Sequence, residues 1–166
     1  MPATSESLTI PAPVAEVWRA VTNLEEAGRW NGAWERVEYL SEQREGVGAT
    51  FRAYSEDGLG HNFRISDWAP EEYVAFAPAD DDEEDPPAYL INLESQAFRL
   101  RRVSDGETDV TLIASVTTNG IRGWIAGRFV WPSYQRQGLR SALEALRSLF
   151  EPEENEDEDE DERPGG

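Results

Sequence analysis

The chain has 166 residues, 39% of them hydrophobic, which suits one domain with a real core plus an appendage. It contains no cysteine, no lysine and a single histidine, His61, so disulfides, thiol and lysine nucleophiles and multi-histidine metal sites are excluded, and no metal or other cofactor is expected. The net charge of −19 is local: ten acids and one arginine in 151–166 contribute −9 and the six acids of "DDDEED" at 80–85 another −6, leaving −4 for everything else, a balance with no basic face for nucleic acid.

No apolar run approaches the length of a membrane span, and "MPATSESLTI" lacks the basic-then-apolar order of a secretory signal, so a cytoplasmic protein is expected. In chain order, "SESLTI" alternates as a strand that Pro11 and Pro13 end, and Pro13 suits the start of a helix. Val14, Val17, Trp18 and Val21 then form one apolar helical stripe. Asn23 is placed to cap a second short helix, "LEEAGRW", which Gly28 weakens or ends.

Strand signals separated by turns follow. "AWERVEYLSE", "ATFRAYS", "HNFRISDW", "EYVAFAP", "AYLINLESQAFRLRRV" and "DVTLIASVTT" make six strands, with Asp-Gly turns in "EDGLG" and "SDGET" and a charged, proline-rich loop at "ADDDEEDPP". "GIRGWIAGRFVW" is apolar on several sides. "SYQRQGLRSALEALRSLFE" is a long amphipathic helix with Leu139, Leu143, Leu146 and Phe150 on one stripe, and Pro132 lies either in its first turn or at a kink. Residues 1–150 form the domain; 151–166, acidic and without a large apolar side chain, form a disordered tail.

Strands joined by short turns pair antiparallel, so the layout is α+β: a seven-stranded antiparallel sheet with two short helices between strands 1 and 2 and a long C-terminal helix across one face. Between a curved sheet and such a helix there is room for a cavity. With "IPAPVAEVW", the Trp30 and Trp34 pair, "GVGATF", "FRLRRVSDGETDVTL" and "LRSALEALRSLFE" in this order, the chain resembles the START-like helix-grip superfamily. Within it the resemblance is to the SRPBCC polyketide cyclase/dehydrase and lipid-transport group, over roughly residues 5–150. It implies a curved sheet wrapped around the C-terminal helix, and it spans carriers, cyclases, hydrolases and sensors, in monomers and dimers, so fold alone does not choose the function.

Candidate residues follow from the patterns. His61, as the one histidine, is the weak catalytic candidate for acid–base chemistry, set against an ordinary surface histidine at a turn. Arg99 and Arg101 alternate with Phe98 and Leu100, and Arg52 and Arg64 with Phe51 and Phe63, so these arginines face solvent. On an unbroken strand, Asn92, Glu94 and Gln96 share the inner face with Phe98, a costly placement unless a ligand, water or one another satisfies them; a bulge between 93 and 97 would dissolve the pattern. Trp34, Phe63, Trp68, Tyr89, Phe98, Phe129, Trp131 and Tyr134 are the aromatic candidates for a pocket or core, the tyrosines offering hydroxyls. The acid blocks match no ordered calcium loop, and no metal ligands are assigned.

Three functions follow: binding of a small hydrophobic molecule such as a lipid, polyketide or aromatic metabolite; a polyketide cyclase/dehydrase-type enzyme; and an interaction protein whose acidic tail meets a basic partner. The few catalytic side-chain types favour binding.

Overall fold

The computed structural model describes residues 3–79, 91–118 and 131–152, without the side chains of 91–94, 117, 118 and 131–134. Seven strands form one antiparallel sheet: β1 (Ala3–Ile10), β2 (Arg36–Tyr39), β3 (Thr50–Tyr54), β4 (Gly60–Ala69), β5 (Tyr73–Pro78), β6 (Ile91–Ser104) and β7 (Glu107–Thr118). Their order is β1-β7-β6-β5-β4-β3-β2. After the first strand each element pairs with its sequence neighbour, a meander that short turns impose. β1 closes the far edge by pairing with β7, Ile10 opposite Thr108 and Ala3 opposite Ser115.

The β3–β4 hairpin shows how the turn residues set the register. Gly58 takes φ 82°, the left-handed conformation that a three-residue hairpin loop requires at its last position. Asp57 accepts the Leu59 backbone N–H at 3.1 Å and the Ser55 hydroxyl. That register puts Phe51 opposite Phe63, and the two rings stack with centroids 5.6 Å apart.

Helix α1 (Val14–Thr22) follows Pro13 and buries Val17, Trp18 and Val21, the stripe read from the sequence. The next segment is the expected second short helix, without the expected cap. Leu24–Arg29 is a 3-10 helix, and the Asn23 side chain makes no capping hydrogen bond; instead the Asn23 N–H donates to the Arg19 carbonyl oxygen and closes α1. Gly28 does not end the helix. A Cβ there would lie 2.9 Å from both the Trp34 and Glu35 carbonyl oxygens, so the glycine lets the following loop fold back onto the helix.

Helix α2 spans Trp131–Ser148. Pro132 lies in its first turn, where a missing N–H breaks no intrahelical bond. Leu139, Leu143 and Leu146 are buried, and α2 packs chiefly on β1 and secondarily on β7. The main core is aromatic: Trp34 contacts Phe51, Phe63 and Phe76 at centroid distances of 5.6, 5.1 and 6.2 Å, and Trp30 meets Phe98 edge-on at 5.0 Å. Edge-to-face pairs of this kind add to the area buried. No helix among the described residues is long and apolar enough to cross a membrane.

Candidate functional site

An open cavity of about 570 Å³ lies between the sheet and α2, within the range of small-molecule sites, about 300–1,000 Å³. Three pieces of chain build it. The floor is Gln96 on β6 with Leu112 and Ala114 on β7, Gln96 and Ala114 being direct cross-strand partners. One wall is the loop from Gly28 to Trp34. The roof is one face of α2: Gln135, Gly138, Leu139, Ser141, Ala142 and Ala145.

The wall is held by its own backbone chemistry. The Asn31 N–H donates to the Ala27 carbonyl at 2.8 Å and the Trp34 N–H to the Asn31 carbonyl at 3.2 Å. The Asn31 carboxamide oxygen accepts the Ala33 N–H at 3.0 Å, an Asx turn, and Glu35 N–H reaches the Tyr54 carbonyl at 2.8 Å. The Trp30 indole N–H donates to the Ala20 carbonyl at 3.2 Å. These bonds fix Trp30 and Trp34 so that each packs on the aromatic core while also bordering the cavity.

The roof explains why space remains. Gly138, Ala142 and Ala145 each stand one residue before a buried leucine: Leu139, Leu143 and Leu146. The two stripes lie side by side on the helix, the leucines buried and the small residues over the cavity, with Leu139 bordering it too. A Cβ added at Gly138 would meet nothing within 4 Å. The expectation that Leu139, Leu143 and Leu146 form the buried face holds; the neighbouring small stripe carried no signal for an argument that looked only for apolar positions.

The polar lining is sparse. Arg29 pairs with Glu26 at 3.4 Å, its side chain 59% exposed, and so sits at the rim. Gln96 and Gln135 contribute carboxamides and Ser141 a hydroxyl. The Gln135 Oε1 atom is buried with no hydrogen-bond partner among the described residues.

The sequence candidates divide. Trp34 and Gln96 line the cavity. Phe63 and Phe98 are buried in the packed aromatic core, and Trp68 is half-buried against Trp18, rings 5.0 Å apart; none of the three is a lining residue. Asn92 and Glu94 do not keep step with Gln96. Glu94 is the extra residue of a bulge: Leu93 pairs with Val116 and Ser95 with Ser115, so Leu93 takes the register position opposite buried Val116. Gln96 alone of the three retains the alternation with Phe98 and Leu100. The side chains of Asn92, Glu94, Trp131 and Tyr134, and the whole of Tyr89, Phe129, the acid block 80–85 and residues 153–166, lie outside the described residues.

His61 is opposite Ala53, on the sheet face of Phe51 and Phe63, but it is exposed at the hairpin end of β4 and is not a cavity residue. Arg64, Arg99 and Arg101 are exposed as alternation requires, and Arg102, which shares parity with Phe98 and Leu100, is exposed near the end of β6. Arg101 and Arg102 pair with Asp109 and Asp105, and Arg99 stacks over Tyr73 at 5.7 Å. These three arginines edge a separate shallow hollow together with Glu71 and Glu72. Arg52 is half-buried and donates to Asn62 Oδ1 at 2.9 Å. Among the described residues no group of three or more acidic or histidine side chains is placed to hold a metal ion.

Comparison with known proteins agrees with this geometry. A family model described as polyketide cyclase / dehydrase and lipid transport matches residues 1–151. Among solved structures, the chain is similar to the di-domain ARO/CYC BexL from the BE-7585A biosynthetic pathway, with TM-score 0.68 and 15% identity over 92% of this chain and 48% of that one. It is similar to XoxI from Bacillus cereus, with TM-score 0.67 and 14% identity over 90% and 96% of the two chains. It is also similar to the Aha1 dimer from Colwellia psychrerythraea, with TM-score 0.63 and 16% identity over 91% and 97%. No curated protein matches the sequence.

Proposed function

We propose that this chain, which belongs to the polyketide cyclase / dehydrase and lipid transport family, binds a small hydrophobic molecule in the cavity between its sheet and α2. One observation carries the reading: a roof stripe of Gly138, Ala142 and Ala145 keeps about 570 Å³ open beside a core that is otherwise tightly packed. An apolar guest displaces water from the apolar walls of this open cavity and removes its own surface from water, at about 25 cal/mol per Å².

A cyclase-type activity is the second reading, favoured by the family's description and by the likeness to an aromatase/cyclase. The polar groups among the described lining residues are amides, one hydroxyl and the rim Arg29. That reading therefore takes its proton-transfer group from outside this set, whereas binding needs none.

The neutral fluorescent probe N-phenyl-1-naphthylamine tests the proposal. It should bind the full chain saturably at one per chain, with enhanced emission. Ala142→Phe, which fills the space below the roof, should abolish the signal while the far-ultraviolet circular dichroism stays unchanged. An Ala142→Phe chain that folds and binds as wild type places the site elsewhere and sinks the reading.

A further inference from the structure

One lining residue of the cavity carries a donor whose orientation the backbone fixes. Asn31 is only 7% exposed, and it lines the cavity between Trp30 and Trp34. Its backbone N–H donates to the Ala27 carbonyl at 2.8 Å, and its backbone carbonyl accepts the Trp34 N–H at 3.2 Å. Its Oδ1 accepts the Ala33 N–H at 3.0 Å. A backbone N–H can only donate, so that contact assigns the oxygen end of the carboxamide. Nδ2 is then the one polar atom of Asn31 without a partner among the described residues. Water reaches it, because the one unpartnered side-chain atom sealed from water among the described residues is Gln135 Oε1. Gln96, on the floor, is half-buried, and no hydrogen bond among the described residues holds its carboxamide, so it can turn oxygen or nitrogen to a guest and selects neither.

We propose that Asn31 Nδ2 donates a hydrogen bond to a carbonyl oxygen of the guest, so that the cavity selects a neutral, largely apolar molecule carrying a ketone, ester or amide. The inference rests on the binding reading above and adds to it the group that is recognised. A guest that covers Nδ2 displaces the water that serves it. A carbonyl oxygen restores that bond, whereas a hydrocarbon of the same shape leaves the donor bare. A carboxylate also accepts, but it would lose its hydration against apolar walls, and the cation of the lining, Arg29, is 59% exposed at the rim and paired with Glu26.

The test displaces N-phenyl-1-naphthylamine from the full chain with three probes of nearly one size: 2-acetonaphthone, 2-ethylnaphthalene and 2-naphthoate. Asn31→Asp keeps an oxygen for the Ala33 N–H and replaces the donor by an acceptor. It should weaken 2-acetonaphthone about tenfold more than 2-ethylnaphthalene, and 2-naphthoate should be the weakest of the three on wild type. The ratio of the two neutral probes is read, because the hydrocarbon's larger apolar surface raises its affinity in both proteins alike. On wild type, the infrared carbonyl stretch of bound 2-acetonaphthone should lie below its frequency in hexane.

An equal change for both neutral probes overturns the role of Asn31 and leaves the binding reading standing. Tighter binding of 2-naphthoate than of 2-acetonaphthone by wild type overturns the selection of a neutral guest. Should Asn31→Asp not fold, the carbonyl frequency decides: the hexane value overturns the inference and a lower one upholds it. If the dye binds and no probe displaces it, the inference falls alone. A wild type that binds neither the dye nor any probe overturns the binding reading itself, and this inference with it.

Discussion

The two stripes on α2 make opposite predictions for adjacent residues. Leu143 is 1% exposed and lies in the leucine stripe packed against the sheet; Ala142, its neighbour, lines the cavity. Leu143→Ala removes three buried carbons from a well-packed site, so the transfer and cavity contributions both apply and the loss should be about 2–5 kcal/mol. For a domain of this size each kcal/mol moves the melting temperature by about 2–4 °C, so a fall of roughly 4–20 °C is expected. Ala142→Leu inserts the same three carbons into open space. Each buried CH₂ is worth about 0.8 kcal/mol, offset by about 0.5–1 kcal/mol of side-chain entropy and by incomplete burial in an open cavity. The stability of Ala142→Leu should therefore stay within about 1 kcal/mol of wild type or rise. Urea denaturation followed by circular dichroism measures both, with an unchanged slope showing that the denatured state is not altered. Equal losses for the two substitutions would refute the assignment of one stripe to packing and the other to the cavity.

Four further outcomes follow. Glu71 sits at φ 62° in a turn that runs from Ala69 to Glu72, closed by the Glu72 N–H on the Ala69 carbonyl at 3.0 Å, with Pro70 second. A left-handed residue with a Cβ is strained by about 1–2 kcal/mol, and the more flexible unfolded chain of a glycine variant takes back about 0.4–1. Glu71→Gly should thus gain about 0.5–1 kcal/mol, read as a higher urea midpoint. Gly28→Ala drives a Cβ against two backbone carbonyls and should lose about 1–3 kcal/mol; a loss under 0.5 kcal/mol would mean that the loop relaxes freely. Asp109 has its pKa lowered, first by the Thr9 hydroxyl at 2.6 Å and then by Arg101. A depressed carboxylate contributes stability above its unfolded pKa and loses it as pH falls through the folded value. Acid titration of the melting temperature below about pH 4 should therefore be shallower in Asp109→Asn than in wild type. The domain boundary expected at residue 150 predicts that a chain lacking 151–166 melts within about 2 °C of the full chain, measured at high salt to screen the tail charges.

The fold was legible because its signals are local. Asp57-Gly58 and Asp105-Gly106 turns separate alternating runs, a meander follows from them, and the helical stripe of Leu139, Leu143 and Leu146 names the element that covers the sheet. The site was less legible, for two physical reasons. Parity along β6 was carried across Glu94, and a bulge is a property of pairing with β7 that the strand's own sequence does not reveal. Aromatic character does not separate wall from core: Trp34 borders the cavity while Phe63, 5.1 Å away, does not. The second short helix was legible, but its Asn23 side-chain cap was not formed, because the Asn23 backbone N–H instead closes α1 on the Arg19 carbonyl.

This division on α2 also bears on how such a fold changes ligands without losing itself. The leucine stripe is tied to the sheet, and altering it costs folding energy at once. The small stripe touches open space, so growth at Gly138, Ala142 or Ala145 changes the shape of the guest accepted before it changes stability. Trp30 and Trp34 are different, because each borders the cavity and also packs on the aromatic core. A molecule bound as proposed would be felt there as packing and would stabilise the fold by mass action, through two residues whose substitution disturbs cavity and core together.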